Sequence, residues 1–274
     1  AVEAGGTAQP SHAQPEHRAG GTRGSPGRSW SCYAAGREHL GKRSMTGTSF
    51  WLHVATVAAM AAFLVWLWGR AGARPVRAGL LTAALIAAWL AYTGVLAASG
   101  FTQRVDILPP GAAAVLAPGL LGLIVVLVTM GRPGNRAALE RMPLVALLLA
   151  QIFRVPVEIV LAMLVEGGKL PALLSYHGSN FDILTGLTAP LAAWAASRGM
   201  RRTVLIWNLL GLALVFNVAV SGILAGPPPL QVIKVEPTSI FIVSWPMVWL
   251  PGFLVPVAVL LHGLAVMRVR RAAA

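Results

Sequence analysis

Apolar residues gather in seven long runs, near 49–68, 78–99, 111–130, 142–165, 181–197, 203–225 and 239–267, with short polar segments between them. A helix needs about 20 apolar residues to cross about 30 Å of hydrocarbon, and every run meets that length, the fifth only at its short end. The pattern predicts an all-α fold, a polytopic transmembrane helical bundle of seven spans. The last run, "TSIFIVSWPMVWLPGFLVPVAVLLHGLAVMRV", is too long for one straight span and carries Pro246, Pro251 and Pro256 together with Gly252. Proline removes a backbone donor and crowds the preceding turn, so this segment is expected to be kinked or broken.

Composition agrees with that class. Hydrophobic residues make up 56% of the chain and charged residues 11%, too little polar surface for a soluble globule of this length. The formal charge of +13 would suit a nucleic-acid partner, but the basic residues sit between apolar runs and not on one phosphate-binding face, so no nucleic acid is expected. They alternate. Arg70, Arg74 and Arg77 follow the first run, Arg132, Arg136 and Arg141 the third, Arg198, Arg201 and Arg202 the fifth, and Arg268, Arg270 and Arg271 the seventh. The other connections carry one each, Arg104, Lys169 and Lys234. Lys and Arg near span ends are retained in the cytoplasm, which predicts an outer N-terminus and a cytoplasmic C-terminus.

Residues 1–44 are Gly/Pro/Ala/Arg-rich with no apolar period, a composition that cannot offset its own ordering entropy. They are expected to be disordered. Arg18, Arg23, Arg28, Arg37, Lys42 and Arg43 would all have to be translocated, against the rule that the other loops obey. Met45 is therefore expected to be the true start, with the alternative of a genuine tail that crosses despite its charge. The only cysteine, Cys32, lies in this segment, so the membrane part has no thiol chemistry.

One polar feature interrupts the fourth run. "LLLAQIFRVPVEIVLAMLV" sets Arg154 and Glu158 in the middle of a span, where a charge costs about 2.5–3.5 kcal/mol on insertion scales and so marks a partner or a function. Gln151, Arg154 and Glu158 stand at i, i+3 and i+7 and share one helix face. At about 1.5 Å per residue from Met142, Arg154 falls near mid-membrane and Glu158 in the outer half. Pro156, between them, frees a carbonyl one turn back. Two readings stay open: a structural ion pair, or a polar cavity open to the outside that meets a solute or a proton.

Further polar groups point to the same half. "SNFD" at 179–182 fits a capping box, in which Asp182 would serve only the start of the fifth span, but Asp182 also enters from the side toward which Glu158 points. The preceding "EGGKLPALLSYHG" has the pattern of a re-entrant or surface-lying lid, with Asn180 close behind it. Asn208 and Asn217 lie on opposite faces of the sixth span and are expected to hydrogen-bond to neighbouring helices. His53 and His262 are near opposite ends of their spans, so they cannot be axial ligands of one haem, and no HxxxH or HExxH spacing offers a metal site. No lysine lies inside a run, which leaves retinal without an amine. No cofactor is expected.

The segments "NFDILTGLTAPLAAW", "WNLLGLALVFNVAVSGILAGPPP" and "WPMVWLPGFLVPVAVLLH" resemble those of a family of uncharacterised bacterial integral membrane proteins. The resemblance covers roughly residues 45–271, includes Arg154, Glu158, Asn180, Asp182, Trp207, Asn208 and His262, and favours Met45 as the start. It implies no activity, ligand or partner.

Two function classes follow. The first is a transporter or permeation pathway for a small solute or protons, using Gln151, Arg154, Glu158 and Asp182 as an outward-facing site, with Asn180, Asn208 and His262 as secondary candidates. The second is a membrane scaffold or assembly subunit, with the bilayer and a homo-oligomer or partner membrane protein as its contacts. An enzyme stands behind both, since no nucleophile with a positioned base and no phosphate-cradling loop is present.

Overall fold

The computed structural model describes residue 45 and residues 47–108, 110–228 and 231–271. The expectations for residues 1–44, Cys32 included, lie outside the described residues. Helices α1 (Gly47–Ala71), α2 (Pro75–Ala98), α3 (Ala113–Gly131), α4 (Arg136–Arg141), α5 (Leu144–Leu149), α6 (Arg154–Glu166), α7 (Ile183–Ser197), α8 (Arg201–Leu224) and α9 (Val255–Arg271) follow in order, and no strand occurs among the described residues. Six helical stretches are long and apolar enough to cross a membrane: α1, α2, α3, Leu144–Glu166, α8 and Leu250–Arg271. The fifth apolar run folds as α7, an apolar helix of 15 residues.

Two stretches form the centre of the bundle. Leu250–Arg271 has 61% of its apolar window buried and Leu144–Glu166 has 50%, against 17% for α2 and 11% for α3. Leu147, Leu148, Met247, Leu261 and Leu264 are fully enclosed. Leu80, Leu85, Val95, Leu121 and Val128 on α2 and α3 are exposed, so these helices are apolar on both their packed and their open faces, as a lipid-bathed helix is.

Proline explains the irregular backbone of both central stretches. Pro156 has no N–H for the carbonyl of Ile152, and the chain runs as a 3-10 turn over Ala150–Phe153 before α6 begins at Arg154. Proline is then in the first turn of α6, where the missing donor costs least. In the last run a 3-10 turn at Ser239–Val243 and a π turn at Leu250–Leu254 precede α9, so the expected break is present. Pro256 frees the carbonyl of Gly252, and the Trp89 indole Nε1 donates to it at 2.9 Å. A neighbouring helix thus satisfies the carbonyl that proline orphans.

Arginines close one end of the bundle. Arg141 Nε donates at 2.9 Å and its Nη2 at 2.6 Å to the carbonyl of Ala71, the last residue of α1. Arg271 Nη2 donates to Gly131 at 2.5 Å and Met130 at 3.2 Å, at the end of α3, and Arg268 Nε reaches Met142 at 3.3 Å. Cations at helix C-termini satisfy unpaired carbonyls and the negative end of the dipole. Beside Met142, Glu140 accepts from Arg136 Nε at 2.8 Å, and this bond holds its carboxyl below the usual range. The turns after α6 and α7 are tight: Gly168 and Gly199 have φ of 64° and 70°, and Lys169 and Met200 return their N–H groups to Leu164 and Ala195, the pairing of a helix ended by a left-handed residue.

Candidate functional site

The 3-10 turn at Ala150–Phe153 and the start of α6 turn Gln151, Arg154 and Glu158 into the bundle, where each is 1% exposed. Gln151 anchors the group. Its Nε2 donates to the carbonyl of Ala258 on α9 at 3.2 Å, and its Oε1 accepts from Arg154 Nε at 3.0 Å. Arg154 Nη1 is hydrogen-bonded and ion-paired to Asp182 Oδ1, from the start of α7. Among the described residues no ion pair within 4.0 Å joins Arg154 to Glu158; the carboxylate that pairs with Arg154 comes from the start of another helix.

Glu158 has a different neighbour. Its Oε1 accepts from Asn180 Nδ2 at 2.5 Å, and the same nitrogen donates to the carbonyl of Leu174 at 3.0 Å. Asn180 Oδ1 accepts from the backbone N–H of Asp182 at 3.0 Å, so one buried amide positions both carboxylates. The capping-box expectation for Asp182 does not hold: Asp182 itself occupies the N-cap position of α7 with no side-chain capping bond, and Ser179 Oγ instead donates to the carbonyl of Leu173. The Arg154 guanidinium takes the carboxylate that a cap would have used.

Arg154, Glu158 and Asp182 line the charged part of a cavity of about 230 Å³. Its walls are otherwise apolar, with Val215, Ile223, Leu250 and Leu254 among them, and Thr102 and Ser239 as hydroxyl-bearing members. The break before α9 builds one side of it, because Pro251, Leu254, Val255 and Ala258 all face in. Two atoms of the cluster, Arg154 Nη2 and Glu158 Oε2, are buried with no hydrogen-bond partner among the described residues. A buried polar atom without a partner costs about 1–3 kcal/mol, so the cluster carries that cost at one donor group and at one acceptor.

The secondary candidates separate. Asn180 belongs to the cluster. Asn208 and His262 pair with each other, Nδ1 to Oδ1 at 2.8 Å between α9 and α8, with the Trp207 ring centroid 5.5 Å from the imidazole. Asn208 Nδ2 returns to the carbonyl of Val204 on its own helix, while Asn217 Nδ2 donates to the carbonyl of Ser179 in the connection before α7. The 166–180 segment partly buries its apolar residues, Leu170, Pro171 and Leu174, through a 3-10 turn at Ala172–Leu174. His53 is held by the carbonyl of Pro246 at 3.2 Å, and among the described residues no group of three His, Cys, Asp or Glu is placed to hold a metal ion. The apolar cavity walls, and the Thr185 hydroxyl with no partner among the described residues, leave no signal in the sequence; only the polar floor left a mark in the residue pattern.

An all-α chain with six membrane-length apolar helices and a charged cluster enclosed among them is a multi-pass membrane protein. It belongs to the family described as Domain of unknown function (DUF8737), whose model matches residues 111–270. The match takes in every member of the charged cluster and both residues of the Asn208–His262 pair. No curated protein and no solved structure matches the chain.

Proposed function

We propose that the chain crosses a bacterial inner membrane seven times, N-terminus outside, and carries protons or a small solute through an outward-facing site made of Gln151, Arg154, Glu158 and Asp182. Helix count is supported by parity. Arg268 at the end of the last helix meets Met142 before the fourth, and Arg271 and Arg141 meet the ends of α3 and α1. Starting from Met142 and returning to the same face requires an even number of crossings, so α7 has to cross along with Leu144–Glu166, α8 and Leu250–Arg271. At about 1.5 Å per residue α7 spans about 22 Å, and the enclosed Asn180–Asp182 entry lengthens it. The arginine-closed face is the cytoplasmic one by the positive-inside rule. In a Cys32→Ser background, Lys234→Cys should react with an impermeant thiol reagent from outside in whole cells and Ala273→Cys should not; the reverse pattern sinks the orientation.

The observation that carries the transport reading is a cavity lined by a carboxylate, Glu158, one of whose oxygens has no hydrogen-bond partner among the described residues. Glu158 is placed to bind and release a proton where few polar groups exist to do so, the usual signature of an intramembrane relay. In proteoliposomes holding a pH-sensitive dye, the wild-type chain should dissipate an imposed pH gradient faster than Glu158→Gln does. Equal rates in both, with both proteins monodisperse, would remove the transport reading and leave the cluster as a lock between helices.

A further inference from the structure

We propose that the cavity takes an apolar amino alcohol as its ligand: a protonated amine with a neighbouring hydroxyl and a hydrocarbon body, in competition with a proton at Glu158. This rests on the reading of the cluster as a solute site and names the solute's chemistry.

Charge balance selects the amine. The charged side chains lining the cavity are one guanidinium and two carboxylates, and Arg154 is committed to Asp182. Glu158 is left with a neutral amide partner, Asn180, so the cluster is one positive charge short. In a low-dielectric interior an unmatched charge is costly, and a proton or a bound cation supplies the match. Other titratable groups on elements around it bond elsewhere: His53 on α1 with Pro246, His262 on α9 through Nδ1 with Asn208 while its Nε2 has no partner among the described residues, Glu166 with His177, and Arg104 with Asp106. None of these bonds touches Glu158.

Hydrogen bonding selects the second group. Glu158 Oε2 needs a donor and Arg154 Nη2 needs an acceptor, and both are buried. An ammonium N–H satisfies the first, and a hydroxyl oxygen on the next carbon accepts from the second. A purely hydrocarbon cation would leave Arg154 Nη2 unpaired. The body then lies against Val215, Ile223, Leu250 and Leu254. The cavity of about 230 Å³ holds about eight groups the size of a water molecule at about 30 Å³ each, enough for a small ring with its side chain.

The test is equilibrium binding of radiolabelled 2-amino-1-phenylethanol to the purified full chain in detergent. Binding should be saturable. It should weaken about tenfold per pH unit once a proton competes one for one, and drop at least tenfold in Glu158→Gln. Unlabelled 1-phenylethanol, with the same ring and hydroxyl but no amine, should not displace it. Displacement by 1-phenylethanol as strong as by the amine itself, or binding by wild type that ignores pH across the acidic range, overturns the proposal without any variant needing to fold. Amine binding without proton flux in proteoliposomes would leave this inference standing and remove transport; proton flux without amine binding would do the opposite.

Discussion

Replacing Arg154 with glutamine is expected to destabilise the protein by about 3–5 kcal/mol, because Asp182 is left as an uncompensated charge in a site where Arg154 is 1% exposed and Asp182 7% exposed. Asp182→Asn should cost less than Arg154→Gln. With Asp182 neutral, Arg154 still has Glu158 one turn away on its own helix, and the pair at i and i+4 keeps a partial balance. The double variant should recover most of the loss, since neither partner then carries charge and both amides can still hydrogen-bond. Measured as a cycle by unfolding of the purified protein in detergent, the coupling energy between Arg154 and Asp182 should be large. Near-additive losses would mean that water screens the pair. Glu158→Gln is expected to be mild by comparison, because Asn180 can still donate to the remaining oxygen. That contrast separates the ion-paired half of the cluster from the carboxylate that has only a neutral amide partner.

The second large effect is expected at Gly186, where α7 packs against the start of α6. A Cβ there would sit 2.8 Å from Val155 Cγ2, 3.1 Å from the Val155 backbone nitrogen and 3.4 Å from Arg154 Cβ. The backbone atom cannot rotate away, so Gly186→Val has to push the two helices apart, at about 1–3 kcal/mol for overpacking. Asp182 precedes Gly186 by four residues on the same helix, and the displacement carries its carboxylate away from Arg154. Gly186→Val should therefore lower the unfolding temperature in detergent and abolish most of the Arg154–Asp182 coupling when the cycle is repeated in that background. An unchanged unfolding temperature would show that the contact is not tight and that the ion pair positions itself. Gly199, which sits at a positive φ with nothing near its Cβ, makes a useful contrast, because substitution there strains the turn between α7 and α8 without touching the cluster.

Much of the architecture is local, and the residue pattern carries it. A run of about twenty apolar residues has few options in hydrocarbon other than a helix, since the backbone must satisfy itself. Six of the seven runs accordingly contain helices of membrane length, the last of them only from Leu250 onward, and the fifth run folds as the shorter Ile183–Ser197. The proline-rich last segment was legible as broken for the same reason, a donor missing from the chain itself. The buried stripe of Gln151, Arg154 and Glu158 was legible because a charge in an apolar run is costly to insert and so marks a partner or a function.

Partnership was not legible. Helical spacing puts Glu158 next to Arg154, yet the guanidinium bonds to Asp182, 28 residues on, and Glu158 takes Asn180, 22 residues on. A one-dimensional pattern reports which face a side chain occupies; which carboxylate lies opposite depends on how α7 packs on α6, and that is set by Gly186 and by the turn through Asn180. The cavity is further from the sequence still. Its walls are valines, leucines and isoleucines from α8, the 99–112 connection and the broken start of the last helix, indistinguishable in sequence from residues that face lipid. Sequence by itself determined that the chain forms membrane-length helices and that a polar group lies inside one of them, because insertion energetics act on each segment separately. Tertiary structure alone decided which charges meet and that an apolar space opens onto Glu158, because both depend on the approach of segments that hydrophobicity cannot tell apart.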